Sequence, residues 1–443
     1  MYNAAVLDAF DFLISEMGKR GMRATVVLGD EWQWSGGHVQ YLRWAQKGAL
    51  RGDVGACHPL QGVPDILNAS WRSRGYEDVP YTGPGLGDWG KWQALAGEFY
   101  SNAAAQKLWK AHVLFMTKHV SNYTGLAHRN EPTIMSWQLA NEPRSTNLSS
   151  ESAAEFVDWM ATSTMFVKRC APKQLVSSGM EGDTSYFSKS QSLMHTQGLA
   201  GVDYVTSHLW VQNWDLYVPG YDDASFLNAT LAFGKAYIIG SAAQAAALGL
   251  PLVLEEFGFP RDLGSLSPLA TTKRRDRFYA MCFMTLLDSV SFGGSLAGMN
   301  WWAYSGVNRP AARDVPATTA ELCNASGVSL ANNMTLVGNG TDWSTCFINQ
   351  GQRPATCGVS TWWAVRSAWP QAAFDGQDAV LGDPPHESQG WYSVYDVDTT
   401  MAVVKKYSAR LAAVLACVNA SISTGVLGCM TALPVGNASA LCM

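Results

Sequence analysis

Short apolar, β-branched runs recur along the chain, and between them apolar residues return at helical spacing. The runs predict strands at 24–29 (ATVVLG), 133–140 (TIMSWQLA), 174–178 (QLVSS), 202–208 (VDYVTSH), 250–255 (LPLVLE) and 296–302 (LAGMNWW). Helices are predicted near 4–19, 103–121, 151–169, 229–248 and 271–291. Strands alternating with helices argue for an α/β fold with a parallel sheet. Charged and aromatic residues collect just after the strands, at Trp32, Glu142, His208, Glu256 and Trp302. A (β/α)8 barrel carries its chemistry at that end of its strands. A doubly wound sheet is the alternative, but no Gly-rich phosphate fingerprint follows the first strand.

Three stretches depart from the rhythm. Residues 31–97 form a long Trp- and Gly-rich connection, in which Trp32, Trp34, Trp44, Trp71, Trp89 and Trp92 suggest an ordered substrate-binding loop. Residues 307–380 form an insertion rich in Asn, Thr, Gly and Cys. The expected division is a catalytic barrel over 1–410, with that insertion, and a Cys-containing tail over 411–443. At the other end, Val6, Phe10, Leu13 and Met17 form a helical stripe interspersed with Asp8, Asp11 and Glu16. That is an amphipathic helix and not the apolar core of a signal peptide.

Composition narrows the function. With 443 residues, 47% of them hydrophobic, the chain can bury a large core. The net charge is −5 and no basic block stands out, so nucleic acid is not an expected partner. No apolar run is long enough to span a bilayer, so no membrane association is expected. Eighteen tryptophans are many; some pack the core, and others suit a groove whose flat rings stack on sugar faces. Asn68, Asn122, Asn147, Asn228, Asn324, Asn333, Asn339, Asn419 and Asn437 each begin a glycosylation triplet, an excess that points to a secreted glycoprotein. Of nine cysteines, Cys323, Cys346 and Cys357 cluster in the insertion and Cys417, Cys429 and Cys442 in the tail, where disulfides are expected. Cys170 and Cys282 fall in predicted helices as buried thiols. None has C-x-x-C spacing, so a zinc site built on cysteine is not expected.

Two motifs carry chemistry. In Trp137-Gln138-Leu139-Ala140-Asn141-Glu142-Pro143-Arg144 a carboxylate follows a buried strand. In Leu250-Pro251-Leu252-Val253-Leu254-Glu255-Glu256-Phe257-Gly258 another does the same. Glycoside cleavage needs an acid at the leaving oxygen and usually a second carboxylate across the sugar. A lone Glu after a strand is more often a solvated loop residue; two in this setting suggest a pair. Strand alternation points Glu255 away from Glu256, toward an ion pair behind the sheet.

These motifs resemble glycoside hydrolases of family five, in clan A. The resemblance continues through Trp32 with Ser35-Gly36-Gly37, Ser178-Gly179-x-Glu181-Gly182, His208-Leu209-Trp210 with Asn213-Trp214, and Trp301-Trp302-Ala303-Tyr304. Gly382-Asp383-Pro384-Pro385-His386-Glu387 and Tyr392-Ser393-Val394-Tyr395 are similar to the endo-β-1,4-mannanase subgroup. The resemblance implies an endo-acting, retaining β-1,4-mannan hydrolase with no cofactor and no metal, working as a monomer. It implies Glu142 as acid/base, with a raised pKa, and Glu256 as nucleophile. Asn141, His208, Trp210, Trp302 and Trp32 would bind the sugar. A related β-glucanase or β-mannosidase, and an inactive glycan-binding protein, are the alternatives.

Three departures from the family qualify this. Trp210 stands where many relatives carry Tyr, and Asp30 and Glu31 stand where many carry Asn, either altering the cleft or facing solvent. Residues 1–30 match the second helix and third strand of the family barrel. The chain is therefore expected to be a truncated gene product or gene model lacking the first two βα units, roughly 80–100 residues, and a signal.

Overall fold

The computed structural model describes residues 2–32, 37–46, 89–145, 150–182, 196–214, 216–217, 224–262, 269–309 and 392–424. The elements in order are α1 (Ala4–Lys19), β1 (Ala24–Val27), α2 (Gly37–Gln46), α3 (Trp89–Gly97), α4 (Ala103–Lys118), β2 (Ile134–Gln138), α5 (Ser150–Cys170) and β3 (Leu175–Ser177). There follow β4 (Val205–Leu209), α6 (Ala224–Ala247), β5 (Leu252–Phe257), α7 (Lys273–Ser291), β6 (Leu296–Met299), β7 (Tyr304–Gly306), β8 (Val394–Tyr395) and α8 (Thr399–Thr424).

All six predicted strands are present, and the ladders that join them are parallel. The ladders run β1-β2-β3 and β4-β5-β6. The amide of Asp203 donates to the carbonyl of Val176, and that of His208 to the carbonyl of Glu181, so β4 follows β3 in the same row. Each strand thus lies beside its neighbour in sequence. A doubly wound sheet would reverse this order at a switch point; the described strands contain no reversal. Helices bury one side of the row, and apolar residues pack in two clusters, one within residues 14–180 and one within 205–407. None of the described helices is long and apolar enough to cross a membrane.

Local chemistry explains the ends of elements. The side chain of Asn3 caps α1 by accepting from the amides of Ala5 and Val6. Asn102 caps α4 in the same way through Ala105. Trp137 on β2 donates to Gln174 at 2.6 Å, and the Gln174 amide donates to the carbonyls of His128, Glu131 and Ile134.

The structure corrects several expectations. α1 turns only half of its expected apolar stripe inward: Phe10 and Met17 pack against the core, but Val6 and Leu13 are 65% and 54% exposed, while Asp11, Ile14 and Ser15 are buried. Asp11 can face inward because two histidines meet it there. The connection over 31–97 is not all loop, since it holds α2 and α3; residues 47–88 lie outside the described residues, as do Trp34 and Trp71. Cys170 and Cys282 are free thiols on α5 and α7 as expected, but only Cys282 is buried and Cys170 is half-buried. The boundary expected at residue 410 falls inside α8, which runs unbroken from Thr399 to Thr424. α8 packs along α7, where Phe283 and Tyr407 stack. Asp398 bonds Arg275 at 3.4 Å and Arg309 at 2.5 Å, and Thr400 bonds Asp276. The insertion over 310–380 lies outside the described residues.

Candidate active site

The ends of β1, β2, β4, β5 and β6 bring together Trp32, Asn141, Glu142, His208, Trp210, Glu256 and Trp302. Glu142 follows β2 and is held in the left-handed region at φ 49°. A non-glycine residue there stores strain, which persists only where the surroundings over-determine it. Here the Glu142 amide donates to the carbonyl of Gly179 at 2.9 Å. Gly179 has φ +83°, and a Cβ on it would come within 1.9 Å of the carbonyl of Ala140. The glycine of the Ser178-Gly179 motif is therefore what lets the chain after β3 approach Glu142 this closely.

The Glu142 carboxylate has both oxygens engaged. Oε1 lies 2.6 Å from Nδ1 of His208, and Oε2 accepts from the indole N–H of Trp32 at 2.7 Å. The same Nδ1 of His208 lies 3.4 Å from Oε2 of Glu256. Glu256 also accepts from the indole N–H of Trp210 at 3.2 Å. Reactive atoms of Glu142, His208 and Glu256 all lie within 4.8 Å of one another. Trp210 thus reaches the carboxylate despite replacing the Tyr of relatives. Its ring meets Trp302 edge-on and packs on Tyr392 at 4.8 Å. Gly258 makes room for this, since a Cβ there would stand 2.6 Å from the Trp210 ring.

The electrostatics are those of a coupled buried cluster. Burial works against a charged His208, yet the carboxylates of Glu256 and Glu142 outweigh it and carry its pKa up to about 10. Burial pushes Glu256 up to about 8; His208 opposes this, and the charges of Glu142, Glu255 and Glu181 add to it. Burial would raise Glu142 too, but the hydrogen bond and charge of His208, then Arg144 and Trp32, hold it below the ordinary carboxylate range. This is opposite in direction to the raised pKa expected for Glu142. The physical reason is proximity: His208 is 2.6 Å from Glu142 and 3.4 Å from Glu256.

Other expected positions are now fixed. Asn141 is half-buried and its side-chain amide donates to Asp30 at 3.4 Å, while Asp30 also accepts from the amide of Trp32. Trp32 is buried, with the Arg144 guanidinium 4.5 Å above its ring, so that face of the indole is already covered. Glu31 does not face solvent: it is fully buried and bonds Tyr100 at 3.0 Å and His38 at 3.1 Å. Glu255 does not form an ion pair behind the sheet. The register sets Ser207 against Leu254 and His208 against Glu256, so Glu255 is an extra, bulged residue and strict alternation fails there. Its carboxyl accepts from Tyr204 at 3.2 Å, and burial pushes it up to about 7.

Three site residues were not singled out from sequence. Arg144 pairs with Glu181, which is buried and pushed up to about 7 by burial, with Arg144 opposing and Glu142 adding. Both lie inside motifs quoted for other residues, which was the available signal. Tyr392 is the second kind of miss. Val394 donates to the carbonyl of Ala303, so the segment after the long insertion returns beside Trp302, and the Tyr392 hydroxyl bonds Asn213.

Known proteins share this arrangement of the chain. The family model described as GH family 5 beta-mannosidase-like matches residues 1–320 and 346–415. Mannan endo-1,4-beta-mannosidase 3 of Arabidopsis thaliana is 25% identical over 313 residues, covering 68% of this chain and 64% of that protein. Mannan endo-1,4-beta-mannosidase 4 of Oryza sativa subsp. japonica is 25% identical over 316 residues, covering 68% of this chain and 57% of that protein. The chain thus spans less than two thirds of the length of these curated relatives. The glycoside hydrolase family 5 mannosidase from Rhizomucor miehei has the same fold: TM-score 0.64, 27% identity, 94% of this chain and 78% of that one. A glutamate-to-alanine variant of that enzyme was solved with mannosyl-fructose and matches with a TM-score of 0.63, 27% identity, 94% of this chain and 77% of that one. With a family match spanning most of its length, the chain belongs to glycoside hydrolase family five, in the β-mannosidase-like group.

Proposed function

We propose that the protein is a retaining glycoside hydrolase that cleaves β-1,4-mannosidic bonds in mannan-type polysaccharides. The observation that carries the mechanism is the separation of the two carboxylates. Oxygens of Glu142 and Glu256 lie within 4.8 Å. Inverting enzymes hold their carboxyl groups roughly 6.5–9.5 Å apart to admit a water, and retaining ones roughly 5–5.5 Å. The pair falls short of the inverting range, which supports direct attack by Glu256.

In this reading Glu256 attacks the anomeric carbon while Glu142 gives its proton to the leaving oxygen. Glu142 then takes a proton from water, which breaks the Glu256–sugar bond. Asn141 holds the 2-hydroxyl, Trp302 lies under the ring, and Trp210 keeps Glu256 aimed. Because His208 and Trp32 favour the ionised form of Glu142, the leaving oxygen must displace one of these contacts as it enters. As the sugar arrives, Glu142 takes up the proton that Glu256, pushed up to about 8 by burial, gives up before it attacks. The six consecutive strands belong to a (β/α)8 barrel, and exposed Asn122 and Asn228 suit a glycosylated, secreted protein.

A second reading is a β-mannosidase that releases single mannose units, favoured by the group to which the chain belongs and by the likeness to the Rhizomucor miehei mannosidase. Assays on mannan, cellulose and xylan, following viscosity and reducing ends together, separate these. A fast viscosity drop on mannan supports the endo reading. Mannose release without a viscosity drop supports the second. Turnover of cellulose or xylan alone, or α-configured first products by NMR, would overturn both.

A further inference from the structure

A buried group of three metal-capable side chains lies apart from the catalytic carboxylates. Asp11, on α1, turns inward and meets His119 and His128. Its Oδ2 is 2.8 Å from Nε2 of His119, and its Oδ1 is 2.7 Å from Nε2 of His128. The side chains of Asp11 and His128 are fully buried, and that of His119 is one-fifth exposed. The backbone holds the histidines as neighbours: Val120 and Ala127 form an antiparallel bridge, and the His128 amide donates to the His119 carbonyl at 2.9 Å. Phe115 stacks on His119, and Phe10 meets His128 edge-on, which fixes both rings.

The hydrogen-bond roles at His128 are decisive. Its Nδ1 lies 2.9 Å from the carbonyl of Met116, which can only accept, so Nδ1 carries a proton. The neutral ring then turns a bare Nε2 lone pair on a carboxylate oxygen. A positive charge must stand between them, either a proton or a metal ion. A backbone carbonyl gripping the far nitrogen is also the usual arrangement behind a metal-ligating histidine.

We propose that Asp11, His119 and His128 bind one borderline divalent cation of the Zn2+ class. Two imidazole nitrogens and one carboxylate oxygen are the ligand types such ions take, with a water in the fourth position. All three ligand atoms already lie within 4.8 Å of one another. With metal–ligand bonds of about 2.0–2.1 Å, tetrahedral ligand atoms stand roughly 3.3 Å apart, so the two nitrogen–oxygen pairs, now 2.8 and 2.7 Å, open slightly to admit the ion. The exposed side of His119 is where the ion and its water enter. The ion ties the middle of α1 to the turn between α4 and β2, at the strand end opposite Glu142 and Glu256. Its role is structural, and it explains why α1 buries an aspartate while leaving Val6 and Leu13 in solvent.

The test uses the full chain, stripped with chelator and titrated with Co2+ and Zn2+. One ion per chain should be retained after dialysis, with the visible absorption of Co2+ in a low-coordinate nitrogen–oxygen site. Zn2+ at about a hundred times its Kd should raise the Tm by about 5 °C. Both signals should be lost in His119→Gln, whose partly exposed site tolerates the change, and in Asp11→Asn. They should persist in Glu142→Gln, which dismantles the catalytic cluster instead. No retained ion and no Tm shift in the unmodified chain, or retention unchanged in His119→Gln, would overturn the proposal and leave a proton as the only bridge. Should either variant fail to fold, the retained ion and Tm shift of the unmodified chain decide, together with their persistence in Glu142→Gln.

Discussion

One nitrogen of His208, Nδ1, stands 2.6 Å from Glu142, and the same atom stands 3.4 Å from Glu256. This imidazole is the shared counter-charge of the site. Its pKa is carried up to about 10 and that of Glu256 up to about 8. A group whose pKa rises on folding stabilises the fold fully below its unfolded value and loses that contribution as pH climbs through the folded value. Stability from both groups therefore declines across the interval from ordinary carboxylate pKa values to about 10. Thermal melts should show Tm falling from pH 5 to pH 9, with a shallower slope in Glu256→Gln. A Tm that rises over this range would contradict the charge arrangement.

Glu255 should matter although it touches no sugar. Its carboxyl lies close enough to Glu256 to push that pKa up. Glu255→Gln removes this charge, so the acid limb of kcat/KM should move down by about one pH unit with little change in KM. An unmoved limb would mean that Glu255 stays neutral throughout the working range.

The indole of Trp210 supplies Glu256 with a hydrogen bond at 3.2 Å. Trp210→Phe keeps a ring but not the N–H, and a bond to a charged group is worth enough to lower kcat roughly 10- to 100-fold. Trp210→Tyr, the residue many relatives carry, should recover more activity than Phe. Equal activity in the two variants would show that only the ring matters.

Gly179 tests the scaffold. Its left-handed backbone and the 1.9 Å approach to the Ala140 carbonyl leave no space for a methyl group. Gly179→Ala should cost about 3 kcal/mol or more in denaturant melts and disturb Glu142, whose amide bonds the Gly179 carbonyl.

Much of this was legible in the sequence. The strands announced themselves because both faces of β4 are buried, and Ile134, Trp137, Leu252 and Leu254 are likewise shut from solvent, so their runs are strongly apolar. The two carboxylates were visible because each directly follows such a run. What stayed hidden depends on contacts between distant residues. Periodicity places Phe10 and Met17 of α1 inward, but it does not reveal that Asp11 turns in beside them, toward histidines more than a hundred positions away. α2 buries only Val39 and Leu42 as apolar anchors, alongside His38 and Arg43, so its pattern read as loop. Glu255 was misdirected because a bulge is a property of two strands and not of one. The low pKa of Glu142 likewise follows from a ring placed by β4.

The most direct test of the central claim is to trap the covalent intermediate. A 2-deoxy-2-fluoro-mannoside with a good leaving group slows release of the sugar from the nucleophile, and peptide mass spectrometry then locates the attached sugar. The account predicts one sugar per chain, on the peptide that contains Glu256, and none in Glu256→Ala. Label on Glu142 would reverse the two roles, and turnover of a normal glycoside with no label on either residue would contradict the double displacement itself.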